Sequence, residues 1–409
     1  MDKRRLVEVD QDVLYEILIH CSLRDCIRMG AVCKSWLLVS RWSTRTRPPQ
    51  LPWLMMVSNP KSTSAEEARS FFSLSDQTMY DAIKFPEMRG KRCCGSFNNA
   101  RAHGWLMTTD DKNRKMRLFH PWRRIQLQLP THSNLPRTYP RVCDGDPYLE
   151  VVKIRTAAMS DDSKVVVVIH DAATLAFCRR GVDKFWTQVN RIKANRIEVN
   201  PSLVFDDVIY HNGQFYTVTT HGSVGVLRIN TANPYVEILS EEVRVTVNPY
   251  VEVLTKESKV DGYPRTYLVA DSTSDRLFIC LRNSLSIQEV ERDPYDYDSR
   301  RTLGFKVYEV GLEENGEYTK KPMEVERLGD RVIFLGQNSS MLVMASQFPG
   351  VKGNRIYFTD DFMEASFFKS PLGCVDLGIF DMEDNTVQPL FSKRFHPTFS
   401  PPIWIAPPL

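Results

Sequence analysis

Residues 207–220 read DVIYHNGQFYTVTT, in which two β-branched and aromatic runs flank the dipeptide Asn212-Gly213. An Asn-Gly pair between such runs is the strongest short-range signal for a β-hairpin, since the tight turn needs positive φ angles at both central positions. Similar runs bounded by Gly, Asn, Asp or Pro recur on both sides, from HGWLMTT at 103–109 to LGIFDM at 377–382. The sequence therefore predicts a mainly β domain built from short strands.

On either side of this hairpin, strand-turn-strand units recur at intervals of about 40 to 50 residues, which is typical of radial or closed sheet architectures. Four or five units can be traced, and the segment from Cys374 to Leu390 completes the last one. The units begin near Gly95, Ala157, Leu203, Thr266 and Gly329. We therefore expect a β-propeller, with a double β-sandwich as the alternative.

Large aromatic side chains in these runs are expected to fill the space between stacked sheets, each burying about 150 to 250 Å². They are Trp105, Trp122, Trp186, Phe215, Tyr216, Phe334, Tyr357 and Phe358. Contact with a ligand is the alternative role for these residues.

Helical spacing inside the β domain is expected only at 64–83 and in a few short connections. The sequence SAEEARSFF at 64–72 opens with a Ser/Glu arrangement that can cap a helix N-terminus. A helix is therefore predicted in this segment.

The first forty residues follow a different periodicity. Apolar residues are spaced by three and four positions, which predicts two amphipathic helices, and SLRD at 22–25 separates them. The apolar positions are Val13, Leu14, Ile17, Leu18 and Cys21, then Cys26, Met29, Val32, Cys33, Trp36 and Leu37. About 30 residues are too few to enclose a core, so these helices need an apolar partner surface in this chain or in another protein.

The polar, proline-rich segment STRTRPPQLP at 43–52 marks the boundary between the two patterns. We therefore divide the chain into a helical module at 6–46, a linker leading into the β domain at 47–60, and the β domain at 61–409.

Composition places the chain among ordinary globular proteins. It has 53 Lys and Arg against 50 Asp and Glu, a net charge of +3, which does not by itself imply binding to nucleic acid or membranes. Nine cysteines, most of them in apolar runs, indicate small buried side chains in a reducing compartment. No stretch has the character of a signal peptide or a membrane span, so we expect a cytoplasmic or nuclear location rather than secretion.

Few residues point to bond chemistry. Asp-Asp pairs occur at 110/111, 161/162, 206/207 and 360/361, and turns at strand ends are the expected reason for them. Cys93-Cys94 with His103 and His120 does not have the spacing of a zinc site, and no nucleotide-binding or hydrolase motif is present. We therefore expect no catalytic residue, no metal and no cofactor.

The segment RKMRLFHPWRR at 114–124 interleaves arginines with aromatic residues. Such a segment could contact RNA or an acidic partner. Two exposed strand faces are the simpler interpretation.

The N-terminal sequence VDQDVLYEILIHCSLRDCIRMGAVCKSWLLVS at 9–40 resembles an F-box, the module by which substrate receptors bind the Skp adaptor of cullin-RING ubiquitin ligases. The matching residues are Val9, Asp12, Val13, Leu14, Ile17, Leu18, Cys21, Asp25, Cys26, Met29, Val32, Cys33, Lys34 and Trp36. Asp10 stands where the family has a proline, and Cys21 and Cys26 replace larger leucines. A hairpin packed on the β domain and a DNA-reading helix-turn-helix are the alternatives.

The remainder resembles plant F-box proteins that carry a C-terminal KIB-type β-propeller. The resemblance is most specific in GDRVIFLGQNSS at 329–340 and IYFTDD at 356–361. It implies a non-catalytic substrate receptor that joins an unidentified protein target to the Skp adaptor and, through it, to cullin and RING subunits. The residues expected to bind the adaptor are Val9, Val13, Leu14, Ile17, Leu18, Met29, Val32 and Trp36. A receptor without ubiquitination and a propeller hydrolase are the alternative functions.

Overall fold

The computed structural model describes residues 10–21, 25, 29, 32–36, 38–39, 50–57, 68–75, 77–98, 103–110, 114–132, 135, 154–170, 174–194, 197–199, 203–243, 265–286, 300–311, 321–361, 376–391 and 402–407. The chain divides into two compact units, one of residues 1–51 with 407–409 and one of residues 52–406. In the described part of the chain, no helix has the length and apolar character needed to cross a membrane.

The first unit contains the helix α1 (Gln11–His20). Asp10 caps its N-terminus, because its side chain accepts a hydrogen bond of 2.9 Å from Asp12 N–H. The proline that the family has at this position is therefore replaced by a residue that also favours helix initiation.

The second predicted helix is interrupted. Asp25 and Met29 have helical backbone, Val32 lies in a turn closed by its N–H to Met29 O at 3.1 Å, and helical backbone resumes at 34–36 and 38–39. The apolar spacing from Cys26 to Leu37 continues through this turn, which is why the sequence indicated a single helix.

The second unit consists of sheets that we number as blades along the chain. Blade 1 contains β1 (Trp53–Val57), β2 (Ala68–Ser73), β3 (Thr78–Lys84) and β27 (Ile403–Ile405). Blade 2 contains β4 (Arg92–Phe97), β5 (Trp105–Asp110), β6 (Lys115–His120) and β7 (Ile125–Gln128). Blade 3 contains β8 (Ile154–Met159), β9 (Val165–His170), β10 (Thr174–Arg179) and β11 (Thr187–Val189). Short 3-10 helices occur at Pro86–Met88 and Ala345–Gln347.

The other three blades are larger or have longer strands. Blade 4 contains β12 (Arg191–Ala194), β13 (Ile197–Val199), β14 (Phe205–His211), β15 (Gln214–Thr219), β16 (Val224–Arg228) and β17 (Tyr235–Ile238). Blade 5 contains β18 (Arg265–Asp271), β19 (Arg276–Ser286), β20 (Arg300–Val310) and β21 (Met323–Val325). Blade 6 contains β22 (Arg331–Leu335), β23 (Met341–Met344), β24 (Arg355–Phe358), β25 (Gly378–Asp381) and β26 (Thr386–Pro389). The predicted Asn212-Gly213 hairpin is confirmed as the turn between β14 and β15.

One edge strand of each blade faces the edge strand of the next. These strands are β27, β4, β8, β14, β18 and β23, and contacts join them in that order. The blades are therefore arranged radially, and the unit is a six-bladed β-propeller, as the recurring strand units predicted. The expected four or five units were too few, since the described residues form six sheets.

Blade 1 is the blade that the sequence analysis missed. The helix predicted at 64–83 is wrong, because this segment forms β2 and β3. All six residues of β2 are buried, and β2 pairs with β1 on one side and with β3 on the other. A segment that is covered on both faces and both edges forms its backbone hydrogen bonds as an inner strand. The capping residues that precede it do not change this. In addition, β1 lies within the segment expected as linker, 47–60, so the propeller starts before residue 61.

Apolar clusters fill the spaces between consecutive blades. In β9, Val166 and Val168 face blade 2, whereas Val167 and Ile169 face blade 4. Because the inner strands of a blade are buried on both faces, several of them, such as β9, are nearly continuous apolar runs. Seven of the eight aromatic residues predicted to fill these spaces are buried and Trp122 is partly exposed, so the prediction of core packing is confirmed.

The ring is closed by strands from opposite ends of the propeller sequence. β27 pairs antiparallel with β1, with Leu54 opposite Trp404. Trp404 is fully buried, its carbonyl accepts a hydrogen bond from Ser96 Oγ at 2.5 Å, and Ala406 N–H donates to Asn98 Oδ1 at 3.1 Å. β27 thus joins blade 1 to blade 2.

We predict that Trp404→Ala lowers the free energy of unfolding by about 3 to 5 kcal/mol, since it leaves a cavity in the strand that closes the ring. Urea unfolding followed by tryptophan fluorescence and circular dichroism measures this change. Phe185→Ala is the control, because Phe185 is 63% exposed and its loss should change stability by less than about 0.5 kcal/mol. Equal effects of the two substitutions would show that closure by β27 is not a major source of stability.

Candidate functional site

The residues predicted to bind an adaptor fall into two groups in the helical unit. Val13, Ile17 and Val32 are 53%, 46% and 50% exposed. Leu14 and Leu18 are buried in a cluster that also contains Val39, and Met29 and Trp36 pack against it partly buried. Val9 lies outside the described residues. The first group can offer apolar surface to a partner, and the second supports the fold of the module.

Val13 and Ile17 lie one turn apart on α1, beside the buried stripe of Leu14 and Leu18. Leu38, which the sequence analysis did not select, is 61% exposed. It directly precedes the buried Val39, so apolar spacing alone did not reveal that it faces outward. We call Val13, Ile17, Val32 and Leu38 the exposed apolar set. Exposed apolar side chains of this kind can supply apolar surface to a partner.

The centre of the propeller is crossed by the loop 336–340, which connects β22 to β23. Ser339 N–H donates to Ser96 O in β4 at 2.9 Å, and Ser339 Oγ donates to Ala157 O in β8 at 3.1 Å. A loop of blade 6 therefore reaches blades 2 and 3 across the ring. Gly336 is required here, because a side chain at this position would overlap Thr359 Oγ1.

Asp207 connects this loop to the inner strands. It is 2% exposed and accepts hydrogen bonds from Thr156 Oγ1 at 3.0 Å, Leu268 N–H at 3.0 Å and Ser340 Oγ at 3.2 Å. Burial raises the pKa of Asp207 to about 6, and hydrogen bonds from Leu268 and Val208 N–H limit the rise. One carboxylate thus holds blades 3, 5 and 6 to blade 4.

Asp206 makes a second set of such contacts. It accepts a hydrogen bond from Thr266 N–H at 3.0 Å and forms an ion pair with Arg155 at 2.5 Å. The prediction that the 206/207 pair belongs to a turn at a strand end is wrong, because both residues lie within β14 next to a β-bulge. The prediction is confirmed for Asp162, which accepts hydrogen bonds from Ser160 Oγ and Lys164 N–H in a turn.

A buried charge network joins blades 5 and 6. Arg282 Nη1 lies 3.1 Å from Asp361 Oδ1, and Arg282 Nη2 lies 2.9 Å from Asp376 Oδ2. Arg265 Nε lies 3.5 Å from Asp361 Oδ2, to which Tyr267 OH donates at 2.8 Å. The sequence predicted that the 360/361 pair belongs to a turn at a strand end. Asp361 instead forms ion pairs with residues of blade 5. Burial alone would lower the pKa of Arg282, but the nearby tyrosine and the two carboxylates raise it above its ordinary value.

The charges of this network lie in pairs of opposite sign. Each carboxylate of the network faces a guanidinium, so its charge is compensated inside the propeller. Arg282 follows directly on the apolar strand run RLFICL, and a charge in such a position is the sequence signal that could have indicated a buried ion pair. Among the described residues, no group of three or more His, Cys, Asp or Glu side chains could hold a metal ion.

Four cysteines of the propeller are free and buried, as the sequence analysis expected: Cys93, Cys94, Cys178 and Cys280. Burial raises the pKa of the Cys93 thiol to about 11 and of the Cys178 thiol to about 12. Both thiols therefore remain protonated at neutral pH and act as small apolar side chains. Cys33, in the helical unit, is exposed. Cys26, Cys143 and Cys374 lie outside the described residues.

The chain is similar to known proteins over most of its length. The model of the KIB1-4 beta-propeller family matches residues 71–381, from β2 to the end of β25. F-box protein At2g26160 of Arabidopsis thaliana is 24% identical over 359 residues, which cover 83% of this chain and 90% of that protein. F-box protein SKIP23 of the same plant is 25% identical over 428 residues, which cover 93% of this chain and 90% of that protein.

We predict that Arg282→Leu destabilises the propeller by about 3 to 5 kcal/mol, because it removes the guanidinium that two largely buried carboxylates, Asp361 and Asp376, contact. Arg276→Leu on the same strand is the matched control, since Arg276 is 47% exposed and pairs with Glu309 at the surface. The control should lose less than about 1 kcal/mol in the same urea unfolding experiment. A loss of equal size in both variants would contradict the role assigned to the network.

The raised pKa of Asp207 leads us to predict that the stability of the protein, compared with that of a variant without this carboxyl, falls as the pH rises. A carboxyl with a raised pKa in the folded state binds more protons there than in the unfolded chain, so its contribution to stability falls as pH rises from about 4 to about 7. Asn at this position does not titrate. Over this interval the stability of the wild type should therefore fall by about 2 to 3 kcal/mol relative to Asp207→Asn. Urea unfolding at both pH values measures this difference, and a difference that does not change with pH would refute the prediction.

Proposed function

Because the chain belongs to the KIB1-4 beta-propeller family, and because plant F-box proteins are its relatives over most of its length, we propose that it is the substrate-recognition subunit of a Skp-cullin-F-box ubiquitin ligase. The observation that carries the proposal is the exposed apolar set on the helical unit. In this proposal the module binds the Skp adaptor, and the propeller holds the protein that is to be ubiquitinated.

The exposed apolar set supplies the contact with the adaptor. Val13, Ile17, Val32 and Leu38 are each 46% to 61% exposed, so a partner can remove a large apolar area from water. Burial of such area contributes about 25 cal/mol per Å² to binding before the costs of association are subtracted. Leu14, Leu18, Met29 and Trp36 act indirectly, because they position the helices that carry the set.

Two departures from the F-box pattern are compatible with this role. Asp10, in place of a proline, caps α1 through its hydrogen bond with Asp12 N–H. Cys21, in place of a leucine, is the C-cap residue of α1 and packs partly buried against the Leu14 and Leu18 cluster. The smaller side chain reduces packing inside the module and leaves the exposed apolar set unchanged.

The proposed contribution to catalysis is proximity. A target bound to the propeller is held at high effective concentration near the conjugating enzyme that the cullin and RING subunits recruit. The chain itself supplies no group to the transfer of ubiquitin. Free cysteines agree with a reducing compartment, and we place the protein in the cytoplasm or the nucleus.

We predict that Val13→Asp with Ile17→Asp abolishes copurification of the Skp adaptor, because two charges would be buried at the interface. Both residues are exposed in the free protein, so circular dichroism and thermal unfolding should remain unchanged. The experiment is coexpression with a plant Skp adaptor followed by affinity purification.

The matched control is Val182→Asp with Phe185→Asp. These apolar residues are 74% and 63% exposed on the propeller, and this variant should retain the adaptor. Leu18→Asp is a less informative choice, because Leu18 is fully buried and its replacement would unfold the module. Retention of the adaptor by the Val13 and Ile17 double variant would refute the proposed docking face.

A further inference from the structure

A concentration of positive charge lies in the sequence of blades 1 and 2. Residues 77–132 contain eleven Lys and Arg against four Asp and Glu, a surplus of seven, whereas the whole chain has a net charge of only +3. The rest of the chain is therefore net negative. The segment RKMRLFHPWRR at 114–124, whose alternatives the sequence left open, is part of this concentration.

The structure brings several of these cations together where blade 1 meets blade 2. Arg124 donates to Lys84 O at 3.0 Å, and its guanidinium lies 4.7 Å from the ring centre of Phe85. Its Nη1 also lies 2.9 Å from Glu87 Oε2. Lys91 Nζ donates to the backbone carbonyl of Glu87 at 2.5 Å. These contacts of Arg124, Glu87 and Lys91 connect the end of β3 to the residues just before β4.

The outer strands of blade 2 extend this surface. Arg117 in β6 donates to Gln126 Oε1 in β7 at 3.0 Å, and the strand β7 is exposed along most of its length. Lys84, Arg123 and Arg124 are exposed, and Lys91 and Arg117 are partly exposed. We call these five cations the basic junction.

The five cations of the basic junction outnumber the acidic neighbours Glu87 and Asp110. The pKa of Lys91 is lowered, first by partial burial and then by repulsion from Arg117, although Asp110 and Glu87 act in the opposite direction. Beneath it, the buried Arg69 donates to Met88 O and Lys91 O. A bound anion would relieve this repulsion, so the surface favours negatively charged partners.

The aromatic residues of the segment argue against RNA as that partner. Single-stranded nucleic acid binds to exposed aromatic faces on which its bases stack. Phe85, Phe119 and His120 are 3%, 2% and 6% exposed, and Arg124 covers Phe85. Trp122 is partly exposed, but its ring packs against Trp53 and Phe71.

We propose that the basic junction binds an acidic segment of a protein partner, in which Asp and Glu side chains supply the negative charge. The inference rests on the proposed function in one respect: this partner would be the protein that the ligase ubiquitinates. The binding itself does not require the Skp adaptor, which allows the two proposals to be tested separately.

The test uses the purified full chain and fluorescence anisotropy with a labelled peptide of alternating glutamate and glycine. A second peptide carries phosphoserine in place of glutamate, a third carries glutamine, and labelled oligouridine is the RNA probe. We expect both acidic peptides to bind, with affinity that falls as salt is raised, and the glutamine peptide not to bind. Tighter binding of the phosphoserine peptide than of the glutamate peptide would overturn the assignment of the charge to Asp and Glu.

The variant Lys84→Glu, Arg117→Glu and Arg123→Glu should weaken binding of the acidic peptides by about tenfold or more. Its matched control is Lys164→Glu, Lys184→Glu and Lys306→Glu, which changes the net charge by the same amount on two exposed residues of blade 3 and one partly exposed residue of blade 5. The control should keep most of the affinity. Glutamine at the three junction positions gives a milder version if the first variant does not fold.

Equal weakening in junction and control variants would show attraction by net charge alone and would overturn the proposal. Tighter binding of oligouridine than of either peptide, or no binding of acidic peptides at low salt, would overturn it as well. Adaptor copurification is measured on the same junction variant and should be unchanged. Loss of peptide binding with the adaptor retained separates this proposal from the docking of the helical unit.

Discussion

Hydrogen bonds between Trp53–Met55 and Ile403–Ile405 join two strands that lie about as far apart in the propeller sequence as possible. Apolar clusters fill the spaces from blade 2 to blade 6, and aromatic contacts join blade 1 to blade 2 and to blade 6. Every blade therefore needs a neighbour on each side to keep these residues from water. An open row of blades would leave two such faces exposed. Closure of the ring by β27 is therefore the condition on which the burial of the other blades depends.

Sequence reasoning succeeded where the signal is local. The Asn212-Gly213 turn, the starts of blades 2, 3, 5 and 6 and the apolar spacing of α1 each depend on residues within one short segment. It failed where distant segments decide the outcome. Ala68–Ser73 follows a Ser/Glu arrangement at 64–67 that can cap a helix, yet neighbouring strands on both sides hold it in a sheet. Nothing near Ile403 indicates that this strand belongs to the first blade.

The same distinction applies to the candidate sites. The helical spacing identified Val13 and Ile17 together with Leu14 and Leu18, but it could not separate exposed from buried positions, because that depends on which face the rest of the module covers. Asp207 and Asp361 looked like turn residues because Asp-Asp pairs border apolar runs. Their partners, Ser340, Leu268 and Arg265, come from other blades, and no local pattern contains them.

The placement of β27 also has a consequence for synthesis of the protein. In the order of the chain, β27 follows β1 only after the strands of all the other blades. Domains are generally completed in the order of translation, at about 5 to 20 residues per second. Until β27 has been made, β1 presents an unpaired edge, the kind of edge that pairs with other nascent strands. We therefore expect chaperones to bind this edge until β27 has left the exit tunnel.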